Sequence, residues 1–592
     1  MKLIIREYLA SLRERGELDA ILPDLLSQLG LNVYSRPARG TRQDGVDVGA
    51  VGSLSGGAEK VYLFCIKAGD LTRKEWGGDA VQSLRPSLNE ILDAYIPNRI
   101  PVEHRGKEVA ICITIGGDVQ EQVRPDLTGF ISQNTTPTVS FEEWNGDRLA
   151  SLIESSFLRE DLLPSGARPQ LRKALALLDE PDAAYRHFAA LLQLLSGATG
   201  KSADRVRAIR QISICLWILF GWARESKNME AVYRSGELAV LHAWNILREF
   251  AGTDNRATDA SLTAFHSVFQ AYQEISAQFL STVLPHVNKL HGLSSAVRGS
   301  SGLDVNLKMF DLLGRMAVAG LWSYWGATLF AEGEQKERNE AFAEVASHAL
   351  SVKALISNNP VLLMPAKDSQ VTDISIALLL LVLNKNDHAS IRNWLGEMSD
   401  RATFALSING QYPCILESYS DLLVHPKPGD AEYRKNVTSA SVLYPAIAMF
   451  AAFVGDGDTY DKVANLRKEH LPHCNFQLWY PDDNSEDRLY TNRDSHGATL
   501  SDLRVNLPKE EFLKQVFTEC EHSPQLFQLS AFVLHYWPII IVACRHYCLP
   551  LPIHFLKIVQ EPKGATGAGE NEGRPSPAGQ PPETFPQPQC DI

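Results

Sequence analysis

Residues 43–69 read QDGVDVGAVGSLSGGAEKVYLFCIKAG, and their pattern decides the fold of the first part of the chain. VDVGAVG and VYLFCIK are short runs rich in β-branched and aromatic residues, separated by SLSGGAEK, a Ser/Gly segment that turns a chain easily. The pattern predicts two antiparallel strands. On the second, Tyr62, Phe64 and Ile66 alternate with Leu63, Cys65 and Lys67, so the first set is expected in a core and the second on the opposite face. Pairing the strands brings Lys67 among the side chains that meet Asp47. A lysine in a hydrophobic strand asks for a partner, because an unpaired buried ammonium is costly. The alternative is an edge-strand lysine that guards the sheet against aggregation.

Working outward, GELDAILPDLLSQLG has a helical apolar pattern and NVYSRP begins a strand ahead of the hairpin. WGGDAVQSLRPSLNEILDAYI returns to helix, KEVAICITIGG is a strongly hydrophobic strand, and TVSFEEWNGDRLASLIE is a short strand turning into a helix. Residues 1–160 are therefore expected to form an α/β domain. From 161 to 560 amphipathic helical segments dominate, among them ALALLDEPDAAYRHFAALLQLL and NEAFAEVASHALSVKALI, which predicts a large all-α region. The polar stretch at 473–502 reads as a surface loop whose acids, Asp482, Asp483, Glu486 and Asp487, are solvated. Residues 561–592 are Pro/Gly-rich and read as a disordered tail.

A chain of 592 residues is too long for one ordinary core. Hydrophobic residues at 45% and charged residues at 21% belong to a soluble globular protein, and a net charge of −13 argues against non-specific coating of nucleic acid. The nine cysteines form no CxxC pair, which fits a reduced compartment. CRHYC at 544–548 reads as helix packing and not as a zinc site. The N-terminus lacks a signal-peptide core, and the longest apolar runs, such as 374–383 and 531–544, are too short or interrupted to span a bilayer. A cytoplasmic protein is expected, with no membrane partner.

The order helix, QDGVDVGA, turn, FCIK, with SFEEWNGDRLASLI closing the domain, resembles the PD-(D/E)XK nuclease superfamily and most closely its Mrr-like restriction endonuclease branch. That branch carries an acidic helix, a glycine-flanked Asp at a strand start, and an acid or Gln, any residue, then Lys on the next strand. The likeness covers 1–160. It implies a restriction-endonuclease-like α/β domain and a metal-dependent nuclease cleaving phosphodiester bonds of DNA, with RNA as the other candidate substrate. Mrr-like domains fused to large accessory regions often serve bacterial defence against foreign DNA. The helical region at 161–560 would then sense or assemble, through a protein partner or a second copy of the chain.

The resemblance implies roles for particular residues. Asp47 would hold Mg²⁺ or Mn²⁺, and Lys67 would orient the nucleophilic water and neutralise developing charge. The family's carboxylate two residues before the lysine is Cys65 here, and a neutral thiol is a poor ligand for Mg²⁺. The candidates for the remaining carboxylate are Asp70, in the turn after the lysine strand, and Glu17 or Asp19 on the first helix, with Asp19 closest to the family's helix acid. Read without the resemblance, Glu17 and Asp19 are acids favoured at a helix start, and Asp70 is a turn former. Residues 1–160 hold 18 Lys plus Arg against 23 Asp plus Glu, so a DNA-binding face must be local. Arg36, Arg39 and Arg42 before the hairpin, and Arg73 and Lys74 after the lysine strand, are its candidates.

Two other readings compete. SGATGKS at 196–202 ends like a phosphate-binding loop, but Leu195 stands where that motif needs its first glycine, and a helix-like LLQLL precedes it. A nuclease fold with Cys65 in place of an acid is also compatible with a catalytically inactive module that binds nucleic acid or protein. The helical region shows no catalytic constellation: His187, His242, His266 and His286 read as ordinary helix histidines, and LWSYW at 321–325 as core.

Overall fold

The computed structural model describes residues 2–560, apart from 13, 37–42, 55, 78–82, 158–165, 198–201, 251–255, 331–333, 385–387, 428–429, 493–494 and 502. The tail expected at 561–592 and the core of SGATGKS lie outside the described residues. The chain forms two compact units, one built on residues up to Ile275 and one beginning at Ser276.

The first unit contains a five-stranded mixed sheet in the order β1 (Asn32–Ser35), β2 (Val48–Gly52), β3 (Lys60–Lys67), β4 (Val109–Ile115) and β5 (Val139–Trp144). β1, β2 and β3 run antiparallel, with Val48 opposite Phe64 and Gly52 opposite Lys60. β3, β4 and β5 run parallel. The hairpin forms where the alternating runs predict it.

Parallel neighbours need crossovers, and those crossovers cover the sheet with helices. Between β3 and β4 run α3 (Arg73–Gly77) and α4 (Leu84–Glu90), the latter prolonged by a π-helical turn at Ile91–Tyr95. Between β4 and β5 runs α5 (Arg124–Asn134), a helix that the sequence pattern did not predict. Val61, Leu63 and Cys65 pack with Trp76, Leu84, Leu88, Ile91 and Phe130 on this side. On the other side Phe64 meets Trp144 edge-on at 5.1 Å between ring centroids. There α1 (Lys2–Ser11) packs against α6 (Gly146–Phe157). The expected division of β3 into a core face and a lining face is therefore corrected: every residue from Val61 to Lys67 is buried.

The close of β4 explains its ITIGG ending. Gly116 N–H donates to Lys67 O at 3.3 Å, Gly117 N–H to Gly69 O at 2.8 Å, and Gly146 N–H to Gly117 O at 2.8 Å. A Cβ on Gly116 would lie 2.3 Å from Leu9 O, and one on Gly146 would lie 2.3 Å from Gly116 O. Three backbones thus meet directly behind the end of β3.

The rest of the first unit is helical, with Ala167–Ala176, Pro181–Gly197, Ser202–Glu225 and Glu230–Leu247 followed by the start of Arg256–Val283. One helix among the described residues, at 203–225, is long and apolar enough to cross a membrane, and 89% of its apolar window is buried inside the protein. The apolar runs at 374–383 and 531–544 had not pointed to it.

The second unit is mostly helical, as expected, with one correction. The stretch at 473–502 is not only a surface loop. β6 (Ala440–Ser441) pairs in parallel with β7 (Asn475–Phe476), and β8 (Leu478–Tyr480) pairs antiparallel with β9 (Ala498–Leu500). Its acids hold structure: Asp482 Oδ1 accepts from Asn484 N–H at 3.0 Å and Glu486 Oε2 from Ser530 N–H at 2.9 Å.

A matched pair of glycine substitutions tests the crossing behind β3. Gly116→Ala should destabilise the protein by about 2 kcal/mol or more, because backbone must move to admit the methyl group. Gly129→Ala, in α5 with nothing within 4 Å of an added Cβ, should be neutral or stabilising by up to about 1 kcal/mol. Chemical denaturation of both variants measures the contrast, and equal effects would contradict the crossing.

Candidate active site

Asp47 sits where the QDG turn meets β2. Asp44 and Gly45 take positive φ values of 47° and 83°, and a Cβ on Gly45 would lie 2.1 Å from Ser87 O, so glycine is required there. Asp44 is fixed by an ion pair with Arg99 at 2.6 Å. One step beyond the pairing of Val48 with Phe64, Asp47 reaches the level of Cys65. Its N–H donates to Phe64 O at 2.9 Å, and Ile66 N–H donates to its Oδ2 at 2.7 Å.

Lys67 ends β3 with its side chain only 8% exposed, and the carboxylate that meets it is Glu14. Both Glu14 oxygens accept from Lys67 Nζ at 3.1 Å. Glu14 opens a π-helical turn, Glu14–Leu18, that runs into α2 (Asp19–Gln28). Burial works against the Lys67 charge, while the Cys65 sulfur, then Glu14 and Asp47, push the other way, and its pKa stands above the ordinary lysine value.

Asp47 titrates unusually. Burial pushes its carboxyl up to about 6; the Ile66 N–H and Lys67 pull it down, Glu14 pushes it up, and Arg15 pulls it down. Burial, and then the facing Asp47 carboxylate, push the Cys65 thiol well above its ordinary range, so it is neutral. The site therefore gathers two carboxylates, one ammonium and one neutral thiol.

The other sequence candidates fall as follows. Asp19 is the first residue of α2, five positions past the Glu14 that pairs with Lys67. Glu17 lies in the π-helical turn, and its side chain is outside the described residues, as are Arg39 and Arg42. Asp70 is exposed and its Oδ1 accepts from Asp118 N–H at 2.9 Å, tying the turn after β3 to the turn after β4. Arg36 is exposed beyond β1, and Arg73 and Lys74 are exposed at the start of α3. Glu14 and Arg15 were not singled out in the sequence. RERGELD offers three acids, and choosing by position along one continuous α-helix leads to Asp19, because nothing in the residue pattern announces a π-helical turn.

Among the described residues, no group of three or more His, Cys, Asp or Glu side chains is arranged to hold a metal ion. Two carboxylates do suit a hard cation that keeps most of its waters, as Mg²⁺ does. No protein-family model matches the chain, and neither does a curated protein or a solved structure.

The Asp47 carboxyl makes stability depend on pH. Its folded pKa is raised, so its contribution is full below the ordinary value of 3.8 and is lost as the pH rises through about 6. Metal-free wild type should accordingly lose up to about 2–3 kcal/mol relative to Asp47→Asn between roughly pH 4 and pH 7. Urea denaturation across that range, with chelator present, measures the difference, and a constant gap would show that Asp47 ionises normally.

Proposed function

We propose that this protein is a metal-dependent nuclease that hydrolyses phosphodiester bonds of DNA through Glu14, Asp47 and Lys67. The observation that carries this reading is the meeting of two carboxylates from distant elements around one buried lysine. The order of a helix, three antiparallel strands, helices and a parallel strand supports a restriction-endonuclease-like domain of the Mrr-like branch. Defence against foreign DNA follows from that resemblance alone.

The residues divide the work by charge. Glu14 keeps Lys67 protonated near neutral pH, so Lys67 serves as a fixed cation that orients a water and offsets charge developing on the phosphate, and not as a proton acceptor. Glu14 and Asp47, set against a single ammonium, would repel a phosphate on their own. Mg²⁺ or Mn²⁺ held by these two carboxylates would supply Lewis-acid polarisation of the scissile phosphate. The Ile66 N–H fixes one Asp47 oxygen, and the carboxylate would hold the cation through the other. Cys65 adds no charge, so the site has one anionic ligand fewer than the family pattern.

That neutral thiol favours a second reading, in which the fold binds nucleic acid or protein without cutting. One assay separates them. Purified protein should cleave DNA with Mg²⁺ or Mn²⁺, and Lys67→Ala and Asp47→Ala should each lower the rate by roughly a hundredfold to ten-thousandfold while melting as folded proteins. Undiminished cleavage by both variants would place the chemistry elsewhere. Binding without cleavage of single- or double-stranded DNA or RNA would support the second reading.

A further inference from the structure

We propose that Arg15 grips a phosphate of the bound nucleic acid at the mouth of the Glu14, Asp47 and Lys67 site. The proposal rests on the nuclease reading and names a substrate contact that the reading lacks. Glu14 and Arg15 are consecutive residues of the π-helical turn, and they part there: Glu14 reaches Lys67, while Arg15 is exposed. Arg15 nevertheless stays within electrostatic reach of Asp47. The turn therefore places an exposed guanidinium one residue from the carboxylate that holds Lys67.

The other cations of the domain are largely committed. Lys67 is held by Glu14. Lys2 pairs with Asp147 at 2.9 Å, Arg6 with Asp118, Arg99 with Asp44, Arg124 with Glu143 at 2.6 Å, and Arg148 with Glu142 at 2.7 Å. Arg15 makes no ion pair or hydrogen bond among the described residues. Arg73 and Lys74 are likewise exposed, but only Arg15 of the three adjoins Glu14, the residue that holds Lys67. A guanidinium presents a planar fork of donors that matches phosphate oxygens, and an exposed one pays no desolvation cost while it waits. In a domain whose acids outnumber its bases, a single uncommitted arginine beside the carboxylates gives an anionic substrate a point of attachment.

The test is fluorescence anisotropy on the full chain over a salt series, with Ca²⁺ in place of Mg²⁺ and the probes checked for integrity afterwards. The probes are duplex and single-stranded DNA and duplex and single-stranded RNA of one sequence. Wild type should bind at least one of them, and Arg15→Ala and Arg15→Gln should weaken that binding and reduce the slope of log affinity against log salt by roughly one. Arg15→Lys should restore most of the slope, and melting temperatures should be unchanged because the side chain is exposed. Wild-type affinity and slope in Arg15→Ala would overturn the Arg15 contact and leave the nuclease reading standing. Failure of wild type to bind any probe would overturn the nuclease reading and the contact together.

Discussion

A lysine at the buried end of a central strand is a liability unless a carboxylate meets it, and that requirement organises the first unit. Removing one partner of a buried ion pair costs about 3–5 kcal/mol, because the survivor is left uncompensated. Glu14 is the partner here, gripping Lys67 Nζ with both oxygens. For it to do so, the chain between α1 and α2 must pass across the end of β3, and the π-helical turn at Glu14–Leu18 makes that passage. The packing of α1 on α6 and the glycine crossing at Gly116, Gly117 and Gly146 hold the same end of the sheet from behind.

In the proposed nuclease the same pair would also set the chemistry. Glu14 serves Lys67 structurally and also brings a second carboxylate to Asp47, so in the proposed nuclease the charge that stabilises the strand end would also hold the cation. Cys65 moderates this. A third acid at its position would face Asp47 across the hairpin with burial raising both pKa values, whereas a neutral thiol adds no repulsion. The proposed metal site would have one anionic ligand fewer for it.

Much of the sheet was legible in the sequence, and the reasons are local. The hairpin showed itself through alternation and a Ser/Gly turn, and with it the nearness of Asp47 to Lys67. Burial of both faces of β3 was not legible, because Leu63 and Cys65 are as apolar as Tyr62 and Phe64, and alternation cannot say which sides helices will cover. α5 escaped because RPDLTGFISQN carries a proline, a glycine and two threonine or serine residues and buries only Leu127 and Phe130. β8 and β9 escaped because each is three residues long inside a polar stretch. Glu14 escaped because its placement depends on a backbone irregularity and not on a residue pattern.

The central claim is that Glu14 and Asp47 act together as ligands of one divalent cation beside Lys67. Titration of Mn²⁺ into metal-free protein, followed by the electron paramagnetic resonance signal of the free ion, tests it without reference to turnover. Wild type should take up Mn²⁺, and Asp47→Asn and Glu14→Gln should each weaken uptake by at least roughly tenfold while remaining folded. Uptake equal in all three proteins, or absent from wild type, would contradict the account.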